Sequence, residues 1–194
     1  MQREDLNIIY DDFYNQLTYN DVVEKINNIT TLLLNEIITN KTKYIFFDKN
    51  IYNSLDINTL LFKNIISKIF DMYPYICVVS PHMIDSKIYL IKLTKDTYYK
   101  IEYSEYRPIY SDIYNGEYFD LTIINCKYVD NNGYFESFYN EEYGLEKFST
   151  VEVIGLCLFE PIYDIKRKYT NESRLSTLIN SSGFIEFNGY PDNH

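Results

Sequence analysis

The stretch from Ser54 to Leu93 constrains this chain most, because Pro74 cuts one long apolar run into two pieces of different period. Before the proline, Ile57, Leu60, Leu61, Ile65, Ile66, Ile69, Phe70 and Tyr73 recur at three and four, which predicts a helix with one apolar face. Ser54 supplies a capping hydroxyl and Pro74 a stop, so the helix is bounded at both ends. After the proline, Tyr75 to Ser80 is short, continuous and β-branched, which suits a strand buried on both faces. This pair is expected to form the centre of the core.

Earlier in the chain, Leu6, Ile9, Tyr10, Phe13, Tyr14 and Leu17 predict a first amphipathic helix. Val22, Ile26, Ile29, Leu33 and Ile37 predict a second, capped by Asn20 or Asp21. Lys43–Asp48 reads as a strand. Lys87–Leu93 and Tyr98–Tyr103 are expected to pair as a hairpin with Lys95 and Asp96 at its tip. Tyr118–Val129 reads as a longer strand, turned by Asp130-Asn131-Asn132-Gly133 into a return strand over Tyr134–Tyr139. Val151–Phe159 is a further strand, Asn171–Asn180 a late helix, and Phe184–Phe187 a small edge strand. The expectation is an α+β fold: N-terminal helices, then a mainly antiparallel sheet with one late helix. With 194 residues and 46% hydrophobic content it is expected to be one domain over 1–194, helical to residue 40 and mixed from 41.

The chain lacks Ala and Trp and is rich in Ile, Asn, Tyr and Lys, as very AT-rich coding DNA would impose, which points to a virus, phage or plasmid. A net charge of −10 argues against nucleic-acid backbones and anionic membranes as partners. There is no signal-peptide pattern and no run long enough to cross a bilayer, so a cytoplasmic location, or a virion, is expected. Cys77, Cys126 and Cys157 each sit in an apolar run without CxxC spacing and read as buried thiols, so no metal site and no cofactor is expected.

Signs of chemistry are sparse. His82 follows the buried strand, and Asp85-Ser-Lys87 and Asp164-Ile-Lys166 match the short Asp-x-Lys pattern that some metal-dependent nucleases use. These five residues, His82, Asp85, Lys87, Asp164 and Lys166, are the catalytic candidates. No phosphate-binding glycine loop or nucleophile elbow is present. From Tyr98 to Glu146, acidic residues alternate with tyrosines, and a basic protein partner would meet Tyr99, Glu102, Tyr103, Glu105, Tyr106, Tyr110, Tyr139, Glu141, Glu142 and Tyr143. The sequence thus favours a non-enzymatic interaction protein, either a particle subunit or an acidic antagonist of a host protein. A metal-dependent hydrolase is the alternative.

Overall fold

The computed structural model describes residues 3–39, 41–48, 57–103, 105–137, 149–162 and 174–187. Two N-terminal helices form as the apolar spacing predicts, α1 over Arg3–Asn15 and α2 over Tyr19–Leu32. The cap of α2 is Thr18, ahead of the expected Asn20 or Asp21. Its hydroxyl accepts from the Asp21 amide at 3.1 Å, and the Asp21 carboxylate accepts from the Thr18 amide at 2.8 Å. A wider π turn, Leu33–Ile37, ends the helix while keeping Leu33 and Leu34 buried.

β1 (Tyr44–Asp48) leads to α3 (Ile57–Met72), whose Leu61, Phe62, Ile65, Ile66 and Ile69 are buried at helical spacing. Between α2 and α3 the Asn64 amide donates to Thr30 Oγ1 at 2.7 Å, and Thr30 in turn donates to the Ile26 carbonyl. Thr30→Val leaves the half-buried Asn64 amide without its acceptor. The expected loss is about 1 kcal/mol in urea denaturation.

The remaining strands are β2 (Cys77–Ile84), β3 (Lys87–Leu93), β4 (Tyr118–Val129), β5 (Phe135–Ser137), β6 (Ser149–Leu156), β7 (Thr177–Asn180) and β8 (Gly183–Glu186). They build one sheet in the order β3-β2-β1-β4-β6-β7-β8, with β5 paired to β4. The expected α+β class stands, with helices packed on a sheet that is mixed where a mainly antiparallel one was expected. Pairing is antiparallel for β2–β3, β4–β5 and β7–β8, and parallel through the centre for β1–β2, β1–β4, β4–β6 and β6–β7. That parallel centre was not foreseen.

Two local expectations are corrected. The hairpin partner of β3 is β2, because Asp85 (φ 48°) and Ser86 (φ 67°) both take the left-handed conformation that a tight two-residue turn requires. The segment after β3 turns instead into a 3-10 helix at Lys100–Glu102. The late helix expected over Asn171–Asn180 is, where described, strand β7 with all four residues buried, since Thr177-Leu-Ile-Asn180 fills a slot beside β6. Pro81 is accommodated inside β2. The Leu90 carbonyl opposite it turns outward to accept from the Tyr114 amide at 2.8 Å, so the Pro81–Leu90 pair exchanges no ladder bonds.

One sheet face, carrying Ile45, Phe47, Val78, Leu121, Ile123, Ile154 and Ile179, packs with α2 and α3 in the main core. The other face carries Phe46, Val79 and Phe119 in one cluster, and Ile124, Cys126, Leu175 and Leu178 in another. At the amino end of β1, Asp120 accepts from the Lys43 and Tyr44 amides and from the Tyr118 hydroxyl. Burial pushes its carboxyl up, but these hydrogen bonds outweigh that and hold it below the usual range.

Candidate functional site

The strand order reverses at the boundary between β1 and β4. From β1 the chain crosses through α3 to β2 on one side, and after β3 it returns to β4 on the other. In sheets of this kind the crevice beyond the carboxyl ends of the strands at such a switch is the usual ligand site. Here it is edged by Asp48, the last residue of β1, and by Asn125, one residue beyond the β4 partner of Asp48, which is Ile124. Counting along the same registers, Asn125 on β4 and His82 on β2 fall in the row after Asp48, two strands or about 10 Å apart.

Each of these groups is unusual for its surroundings. Asp48 ends an apolar strand, and burial raises its carboxyl from 3.8 to about 7. Asn125 is 6% exposed, and neither its amide nitrogen nor its oxygen has a hydrogen-bond partner among the described residues. His82 is fully buried with Nε2 2.8 Å from the Tyr106 carbonyl. A carbonyl only accepts, so Nε2 carries the hydrogen, and Nδ1, the acceptor of the neutral ring, has no partner among the described residues. A buried polar group left unpaired costs about 1–3 kcal/mol, and a native chain keeps one where something else completes it. Asn125→Leu is therefore expected to stabilise the empty protein by about 1 kcal/mol or more in urea denaturation, by replacing an unpaired amide with an apolar group of similar size.

Beyond β6 the chain runs alongside α1. Phe159 packs edge-on to Tyr10 at 5.4 Å and against Phe13 at 5.6 Å. The two segments and α2 enclose a cleft of about 570 Å³. Its polar groups include Lys25 and Glu160; Lys25 donates to Ser181 Oγ at 3.3 Å, and the Asn180 amide donates to Glu160 at 3.1 Å.

Of the expected catalytic residues only His82 joins this edge. Asp85 and Lys87 lie exposed at the β2–β3 turn, and Asp85 pairs there with Arg107 at 3.4 Å. Asp164 and Lys166 lie outside the described residues. No group of three or more His, Cys, Asp or Glu that could hold a metal ion occurs among the described residues. Cys126 and Cys157 are buried and Cys77 half-buried, all reduced, and burial pushes the Cys157 thiol up to about 11. Of the expected partner surface, Tyr99, Tyr103, Glu105 and Tyr110 are exposed, while half-buried Tyr106 lends its carbonyl to His82. Glu102 sits in the 3-10 turn, and Tyr139, Glu141, Glu142 and Tyr143 fall outside the described residues. Asp48, Asn125, Lys25 and Glu160 were not singled out from the sequence. The one signal was Asn125 itself, a polar residue in the apolar run Leu121–Cys126.

No family model and no curated protein matches the chain. Among solved structures, it is similar to the NMR structure of 5,10-methenyltetrahydrofolate synthetase from Aquifex aeolicus. The TM-score is 0.67 at 13% identity, over 100% of this chain and 97% of that one. A likeness at this identity shows the fold. It also corrects the expectation of a non-enzymatic interaction protein, because the fold this chain takes along its whole length is one that an enzyme uses. No helix among the described residues is long and apolar enough to cross a membrane.

Proposed function

We propose that the chain is a cytoplasmic enzyme acting on a small organic substrate at the carboxyl edge of its parallel strands, with Asp48 carrying a proton. The observation that carries this reading is a carboxyl titrating near neutrality at the end of β1, with an unpaired buried amide one row further on the adjacent strand β4, at the point where the strand order reverses. A carboxyl at about 7 is half protonated at physiological pH, so it can give or take a proton with little penalty either way. The Asn125 amide offers both donors and an acceptor, which suits an amide-like or heterocyclic edge. Nδ1 of His82 offers one more acceptor in the same row.

Because the similar fold belongs to an enzyme of folate chemistry, 5,10-methenyltetrahydrofolate is the first probe, followed by other small heterocyclic metabolites. Isothermal titration of the full chain is expected to find a ligand whose affinity falls at least tenfold in Asn125→Leu, as loss of a buried hydrogen-bonding pair implies. Turnover of that ligand is expected to collapse in Asp48→Asn. A ligand bound equally well by Asn125→Leu, or turned over equally well by Asp48→Asn, removes this reading.

A further inference from the structure

We propose that the cleft between α1 and the segment after β6 binds an organic acid with a flat apolar body, its carboxylate held by Lys25. At about 570 Å³ the cleft has the size of a small-molecule site, and its walls are mainly apolar, with Ile9, Phe13, Phe159 and Ile162 facing the space. The aromatic walls are already braced: Phe159 is held between the Tyr10 and Phe13 rings of α1.

Charge then fixes which end of the ligand goes where. The ammonium of Lys25 has three donors, its hydrogen bond in the described structure is to Ser181 Oγ, and no described carboxylate lies within 4 Å of it. Lys25 is half-buried, so water screens a partner there less than on the open surface. Glu160 is fixed through one oxygen: Asn180, itself 3% exposed, donates to its Oε2 and anchors the carboxylate towards the β7–β8 turn, leaving Oε1 as an acceptor. A ligand carboxylate is repelled by Glu160 and drawn to Lys25, while a ligand N–H finds an acceptor in Glu160. The class that satisfies all of these groups is an aromatic or heteroaromatic carboxylic acid, best with an amino substituent.

The proposal needs no proton transfer by Asp48, so the two readings fail separately. The test titrates the full chain with 3-phenylpropionate and with its neutral amide, 3-phenylpropanamide. The acid is expected to bind and the amide to bind about tenfold more weakly, as a charge-assisted hydrogen bond implies. Lys25→Met, which keeps the side-chain stem, is expected to erase that preference, and Asp48→Asn to leave it intact. Phe13 is 43% exposed, so Phe13→Asp introduces a charge into the cleft without touching the core, and it is expected to abolish binding of the acid. Equal binding of acid and amide, a preference that survives Lys25→Met, binding that survives Phe13→Asp, or no binding of either probe at millimolar concentration overturns the proposal.

Discussion

Between pH 4 and pH 8 the native protein is expected to lose stability that the Asp48→Asn variant does not lose. The folded-state carboxyl of Asp48 is raised above its ordinary value of 3.8 to about 7. A raised acid stabilises the folded state fully below the unfolded value, where both states are protonated. That contribution declines as pH climbs through the folded value, because the unfolded chain ionises first. The full difference is at most about 4 kcal/mol, reached above pH 7. Asn125 and His82 stay as they are in the variant, so the contrast isolates this one carboxyl. Urea midpoints of both proteins, measured at half-unit intervals, give the readout: the gap should be small at pH 4, open steadily and level off near pH 7.5. Parallel curves would mean that the carboxyl is solvated and titrates normally, and Asp48 would then have no special fitness for proton transfer.

Phe47→Ala is expected to cost about 3–5 kcal/mol, the range for removing a fully buried aromatic ring from a core that cannot close around the space. Phe47 is completely buried on the central strand, edge-on to Phe62 of α3 with ring centroids 5.0 Å apart. For a chain of this size the melting temperature should fall by about 10 °C. A double-mutant cycle with Phe62→Ala should return a coupling of about 1 kcal/mol, since each ring loses the other's edge as well as its own packing. A loss below about 1 kcal/mol would show that α3 does not rest on β1 as described.

The sequence disclosed its elements better than their neighbours. α3 was legible because Leu61, Phe62, Ile65, Ile66 and Ile69 repeat at helical spacing, and β1 and β4 because their apolar runs are bounded by turn residues. What period cannot disclose is which strand lies beside which. Tyr75–Ser80 already read as buried on both faces, yet its pairing with β1 depends on a crossover that leaves no local trace. The β2–β3 turn was hidden for a chemical reason: Asp85-Ser86 lacks the Asn-Gly signature, and Ser rarely adopts positive φ. Thr177–Asn180 passed for helix because Asn171 supplied a plausible cap and nothing in four residues distinguishes the two periods. The candidate site was obscured for the same reason as the topology. Asp48 and Asn125 are 77 positions apart in the sequence and come onto adjacent strands, one row apart, only when β4 is laid beside β1. His82 was visible because histidine is scarce in this chain.

The placement of β1 between β2 and β4 also sets a schedule for synthesis. Tyr44 of β1 and Asp120 of β4, which hydrogen-bond in the finished sheet, are 76 residues apart. At typical translation rates of about 5–20 residues per second, that edge of β1 waits roughly 4–15 s for its partner. During this interval β2 and α3 can already have docked, leaving a half-built sheet whose open side displays unpaired amides and carbonyls flanked by phenylalanines. Ribosome-bound chains stopped before residue 118 should therefore recruit holdase chaperones or self-associate, whereas full-length chains, with β7 and β8 in place beside β6, should do neither.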